Sequence, residues 1–237
     1  WMTHRDEWGL EAEVTNHTDA YGIVAVQGPD AEDLVADAAG SAARDLGRFT
    51  AQAMTIGETP CWVARTGYTG EDGYEILAPM DGIEAVWETF DGCQPCGLGA
   101  RDTLRMEYGL LLSGQDFDPE TIPRTPYEAG VGFTVALDTD FVGRDALAAQ
   151  NEAGPEEQFI GFELEERGIP RHGYEITDAE DTDIGVVTSG TMSPTLGEPI
   201  GLGYVTTEHA DDGETVFISI RGEGKQATIT TPPFIGQ

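Results

Sequence analysis

The sequence predicts an α+β body followed by an all-β module. Two observations carry this. Up to about residue 150, short apolar runs alternate with helically spaced ones. From residue 159 onward the runs are short, with Gly, Pro and Asp between them, which suits a small barrel or sandwich. Thirty-one glycines and thirteen prolines supply the turns such a chain needs.

Within the body, residues 21–28 (YGIVAVQG) form an apolar run that ends in a turn and reads as a strand. Pro29-Asp30 opens a helix over residues 31–46, where Leu34, Val35, Ala38 and Ala42 recur at helical spacing. Residues 61–65 and 73–79 read as strands around a Gly-rich turn. Residues 81–90 read as a helix, with Ile83, Val86, Trp87 and Phe90 at i, i+3, i+4 and i+7. A further helix is expected within residues 97–112, stopped by Gly114. Three prolines (Pro119, Pro123 and Pro126) force residues 116–127 into an extended loop. A strand over residues 130–137 and a short helix over 144–150 complete the body. The polar stretch 151–158 (NEAGPEEQ) reads as a linker. The module beyond it has strands expected at residues 159–164, 183–189, 201–206, 216–221 and 226–231. The strand at 21–28 has no earlier partner, which suggests truncation.

Charge limits function. The chain carries 44 acidic and 12 basic residues, a net charge of −32, and Lys225 is the one lysine. Such a chain repels nucleic acid and anionic membranes, which need basic surface. The acids are spread among apolar runs, which favours a folded protein from a halophile over a disordered acidic one. At 1 M salt the Debye length is about 3 Å and self-repulsion is screened. No run of 18 apolar residues exists, and residues 1–7 show no basic start followed by an apolar core, so neither a membrane span nor a signal peptide is expected. A cytoplasmic location follows. Cys93-Gln94-Pro95-Cys96 has C-x-x-C spacing, but Cys61 and the scattered His4, His17, His172 and His209 supply no matching ligands. The two cysteines read as chance neighbours, and no metal is expected.

Common catalytic motifs are absent: no phosphate loop, no nucleophile elbow, no H-E-x-x-H. Polar residues on two elements remain. Gly67-Tyr68-Thr69-Gly70-Glu71-Asp72-Gly73 has the glycines to approach a flat ligand closely. In the strand that follows, Tyr74 and Ile76 face one side and Glu75 the other. A plain hairpin with solvated acids fits the same residues. Arg101 and Arg105 lie four apart on one helix face, and like charges there favour an anionic ligand. Pairing with Asp102 or Glu107 fits equally well.

Several stretches, in order, resemble the glycine-cleavage T-protein family. They are Arg65-Thr66-Gly67-Tyr68-Thr69-Gly70-Glu71-Asp72-Gly73-Tyr74-Glu75-Ile76, then Gly99-Ala100-Arg101-Asp102-Thr103-Leu104-Arg105, then Phe141-Val142-Gly143-Arg144. Gly168-Ile169-Pro170-Arg171-His172-Gly173-Tyr174 follows, with residues 187–196 (VTSGTMSPTL), 200–205 (IGLGYV) and the ending Pro232-Pro233-Phe234. The resemblance covers essentially the whole chain. It implies the remainder of a folate-binding α+β body over residues 1–150 and a C-terminal antiparallel β-barrel over 157–237. It implies an aminomethyltransferase that moves the aminomethyl carbon from a lipoylated H-protein to tetrahydrofolate, releasing ammonia. The P- and L-proteins are then indirect partners. The family's pterin-binding glutamate falls on Glu75, its folate-contacting arginine on Arg101 and a nearby tyrosine on Tyr68.

Two departures accompany the resemblance. The family's catalytic aspartate falls before Trp1, so no residue here takes that role, and the family's longer tyrosine-containing tail is absent. Loss of a general acid or base costs roughly 10²–10⁴-fold in rate. Three alternatives follow. One is a non-catalytic folate-binding relative, whose Lys-Gly-Cys-Tyr stretch is not matched at residues 67–73. Another is the folate domain of a flavin-linked dehydrogenase. The third is an inactive truncated fragment.

Overall fold

The computed structural model describes residues 7–9 and 11–236. His4 lies outside the described residues. The chain divides into two compact units, Trp1–Pro95 and Cys96–Gln237. Residues 96–156 therefore cluster with the barrel.

The first unit is a four-stranded antiparallel sheet in the order β1-β4-β3-β2. Strand β1 (Tyr21–Gln27) and β4 (Gly73–Pro79) alternate apolar-in with exposed or half-exposed residues. Strands β2 (Ala51–Ile56) and β3 (Thr59–Ala64) form a hairpin beside them. Two helices, α1 (Ala31–Ala39) and α2 (Ile83–Glu88), pack on the sheet. Val24, Val26, Val63, Tyr74, Ile76 and Ala78 meet Ala31, Val35, Ala36 and Val86 in one core. Helix α1 is shorter than the expected 31–46. Gly40 adopts φ +98, which ends the helix, and residues 41–45 continue as a 3-10 turn. The strand at residues 21–28 finds its partner in β4 and forms one edge of the sheet.

In the second unit, α3 (Leu98–Glu107) ends well before Gly114; Gly109, at φ +73, turns the chain away. Residues 130–137 are not a strand. Their alternation of Val131, Phe133, Val135 and Leu137 imitates period two, but Gly132–Thr134 is a 3-10 turn and Phe133 is exposed. Helix α4 (Arg144–Ala153) runs into the expected linker. The module is a closed six-stranded antiparallel barrel. Its strands are β5 (Glu157–Leu164), β6 (Glu175–Thr177), β7 (Asp183–Met192), β8 (Pro199–Thr206), β9 (Thr215–Ile220) and β10 (Glu223–Thr230). Their order is β10-β5-β8-β7-β6-β9, and closure leaves no free sheet edge. Phe162, Ile176, Val187, Val216, Ile218 and Ala227 are fully buried in its core. Gly201 leaves room for the Phe162 ring, whose Cζ would lie 2.1 Å from an added Cβ. Met106 of α3 packs on Ile200 and Leu202 of β8.

Candidate functional site

The outer face of the N-terminal sheet carries one of the expected site residues, Glu75. Alternation along β4 buries Tyr74 and Ile76 and leaves Glu75 half-exposed on the other side, as expected. Register places Ala25 of β1 and Ala64 of β3 directly opposite Glu75. Leu77, two residues along, is flanked by Ile23 and Trp62. Directly opposed Cβ atoms lie roughly 5 Å apart, so two methyl groups flank the carboxylate and leave it open above the sheet. Beside it lies an apolar floor, with Ile23 65% and Trp62 54% exposed. Among the described residues nothing donates a hydrogen bond to the Glu75 carboxylate. An ionised carboxylate is acceptor-only and can take two N–H bonds from the edge of a flat heterocycle lying on that floor.

The loop before β4 is held from both ends and from within. Arg65 donates from Nε to Asp72 Oδ1 at 3.1 Å and from Nη2 to Asp72 Oδ2 at 2.6 Å, a bidentate clamp across the loop's base. Nη2 also reaches Glu32 Oε2 at 2.7 Å. The Arg65 guanidinium holds the Asp72 carboxyl below the usual carboxylate range, and Asp72 in turn raises the Arg65 pKa. Inside the loop sits the amide of Gln27, a residue the sequence did not mark. Its Nε2 donates to Thr66 O and Tyr74 O, and Thr69 Oγ1 donates to its Oε1. A Cβ on Gly67 would meet Gln27 Oε1 at 1.7 Å, and one on Gly73 would meet Gln27 Nε2 at 2.4 Å. The close approach these glycines permit is used by the Gln27 side chain. Gly70, at φ +83, serves the turn itself. Tyr68 is half-buried on this loop, so Tyr68 and Glu75 belong to one unit.

The two arginines of α3 separate. Arg101 is exposed and has no acid within ion-pair distance among the described residues. Arg105 is fully buried and committed. Its Nε donates to Asp102 Oδ1 (2.8 Å), Nη1 to Leu110 O (3.1 Å) and Asp116 Oδ2 (2.6 Å), and Nη2 to Ser189 Oγ (2.7 Å). Asp116, also fully buried, accepts further bonds from Thr188 Oγ1, Ser189 Oγ and Leu112 N. Of the two readings, a shared anionic ligand or pairing with acids, Arg105 takes the second. Glu107 is not its partner; buried itself, it accepts from Ser193 Oγ and Thr195 Oγ1 and fastens the loop after β7. Arg101 alone remains available to a ligand.

Cys61, Cys93 and Cys96 form no disulfide among the described residues, and burial raises the Cys61 pKa. Among the described residues no group of three His, Cys, Asp or Glu side chains could hold a metal ion, and no helix is long and apolar enough to cross a membrane.

Comparison with known proteins agrees with this architecture. Residues 1–139 match the family model described as the GCVT N-terminal domain. Residues 158–235 match the glycine cleavage T-protein C-terminal barrel domain. The probable aminomethyltransferase of Halobacterium salinarum is 63% identical over 238 residues, covering 100% of this chain and 65% of that protein. The one from Haloarcula marismortui is 53% identical, covering 99% of this chain and 64% of its own length. The crystal structure of glycine cleavage system aminomethyltransferase T from Bartonella henselae superposes with a TM-score of 0.83 at 33% identity, over 91% of this chain and 60% of that one. The chain thus spans about 65% of the length of these curated relatives. With both family models matched in order over most of its length, the chain belongs to the glycine cleavage T-protein family.

Proposed function

We propose that this chain is the folate-recognising part of a tetrahydrofolate-dependent aminomethyltransferase. In that reading residues 1–150 belong to the folate-binding domain and 157–237 form the barrel domain. The observation that carries it is Glu75: an open carboxylate flanked by Ala25 and Ala64 beside an apolar floor. That environment suits a pterin, which offers adjacent N–H donors on one edge and flat apolar faces. Glu75 accepts from the pterin edge and sets its rotation, and Tyr68 contacts it from the loop; the family resemblance separately assigns Arg101 to folate contact, with its fork offered to ring acceptors or to the bound acid. These three residues bind and orient. The aminomethyl group arrives on the lipoyl arm of an H-protein, with the P- and L-proteins as indirect partners and neither nucleic acid nor membrane involved. The acidic composition and the halophilic relatives fit a salt-loaded cytoplasm.

Tryptophan fluorescence tests the placement. Tetrahydrofolate added in molar KCl quenches emission if it lies over Trp62, and Trp62→Phe removes most of that quench. A quench unchanged in Trp62→Phe places the ligand elsewhere.

A further inference from the structure

One end of the barrel opens into a cleft of about 1290 Å³. The segment after β5, the start of β8 and the turn between β9 and β10 form it. Arg167, Arg171, Arg221 and Lys225 line it, a third of the basic residues of a chain whose net charge is −32. Arg44, Arg65, Arg105, Arg124, Arg144 and Lys225 each hold an acid within ion-pair distance. Arg167, Arg171 and Arg221 hold none among the described residues, although acids outnumber bases almost fourfold. All three are exposed.

The walls are prearranged. Arg171 Nη1 donates to Gly190 O at 3.1 Å, leaving its other donors open. Gly190 packs so closely on the same segment that an added Cβ would lie 2.2 Å from Pro170 O. Arg221 opens the two-residue turn between β9 and β10 at φ +55, a left-handed position that Gly, Asn or Asp fills more easily. Of the glutamates in the cleft, Glu165 accepts from Gln226 and Thr228, while Glu166 and Glu223 hold Lys225. Glu163 and Glu198 stay uncommitted among the described residues. They oppose a dense polyanion and admit carboxylates spaced along a chain.

We propose that this cleft docks an extended, carboxylate-bearing segment of a partner protein. Its volume exceeds the roughly 300–1,000 Å³ of ordinary small-molecule pockets. Ile169 and Met192, both exposed, add apolar contact at the rim. Barrel closure leaves no sheet edge for strand addition, so recognition falls to side chains. Arginine suits the task in molar salt. Long-range attraction is screened there, but the short-range fork-to-carboxylate hydrogen bonds persist. The proposal stands apart from the folate assignment, since none of Tyr68, Glu75 and Arg101 lines the cleft.

The test uses the full chain in molar KCl and a fluorescent peptide of alternating glutamate and serine, read by anisotropy. The peptide binds. The triple variant Arg167→Gln, Arg171→Gln, Arg221→Gln weakens it roughly fivefold to tenfold, the range three exposed charge pairs support, at an unchanged melting temperature. Arg144→Gln, a surface arginine on α4, leaves binding unchanged. Absence of binding, or equal binding by the triple variant, overturns the proposal. So does displacement by citrate at the peptide's own affinity, which would mark a site for a small polyanion. Should the triple variant unfold, Arg221→Gly decides: it suits the left-handed turn and removes one guanidinium. It must weaken the peptide about twofold to fivefold; unaltered affinity refutes the cleft.

Discussion

The outer sheet face around Glu75 and the buried junction around Arg105 each set an ionisable group beside apolar surface, and they satisfy it in opposite ways. Arg105 has donors on three nitrogens and acceptors for each: Asp102, Leu110 O, Asp116 and Ser189. Asp116 completes the set with bonds from Leu112, Thr188 and Ser189. A buried pair left with one member carries an uncompensated charge, so this junction ties α3 and the following segment to strand β7. Glu75 makes no such commitment. Its flanking alanines give it no partner among the described residues. A group that is satisfied internally holds the fold; one left open at a shaped surface is free to bind. The same contrast runs along α3 itself, between exposed Arg101 and buried Arg105.

Breaking the buried member has the largest expected effect. Arg105→Met leaves Asp116 without its cation and destabilises the protein by about 3–5 kcal/mol, read as a shift in denaturant midpoint in molar KCl. A loss below about 1 kcal/mol would mean that the junction is solvated and the contrast with Glu75 is false.

The loop that precedes Glu75 gives the next effect. Gly67→Ala drives a methyl group into the Gln27 amide, which its bonds to Thr66 and Tyr74 keep from moving away. The expected cost is about 1–3 kcal/mol. Because the clash is with one side chain, Gln27→Ala should recover part of it, and the double variant should be more stable than the sum of the singles predicts. Strict additivity would show that the glycine serves something other than Gln27.

Glu75→Gln and Arg101→Gln come third. Each should change stability by less than about 0.5 kcal/mol, as surface groups without partners among the described residues do. A large loss in either would place it among the committed residues and erase the distinction.

The smallest effect concerns an ion pair of intermediate burial on the barrel. His209 Nδ1 lies 2.6 Å from Glu214 Oε1, and that carboxylate raises the His209 pKa above 6.5. A raised pKa in the folded state favours folding while histidine is protonated. The contribution is present in full below about pH 6.5 and fades as pH rises through the folded value. Glu214→Gln should therefore lower the melting temperature at pH 6 and have less effect at pH 8. The reverse order would contradict the assigned sign.

What the sequence revealed and what it hid follow the same physical line. Alternation along β4 was readable because period two reports one buried face, and it placed Glu75 outward. Most barrel strands were readable from their turns. The three residues of β6 were too few to show a pattern, although they close the barrel. Spacing put Arg101 and Arg105 on one helix face; which of them is buried depends on Asp116, 11 residues on, and Ser189, 84 residues on. No local pattern encodes those contacts. Gln27 was hidden for a similar reason, since its partners lie 39 to 47 residues further along the chain. Residues 130–137 misled because alternation alone does not make a strand when Phe133 has no sheet to lie on.

Titration calorimetry of tetrahydrofolate against the chain and its Glu75→Gln variant, in molar KCl, tests the central claim most directly. A carboxylate that takes two pterin N–H bonds loses one acceptor and gains a misplaced donor on becoming an amide, so affinity should fall at least about tenfold while the melting temperature holds. Equal affinity in the two proteins would contradict the assignment of Glu75 to folate.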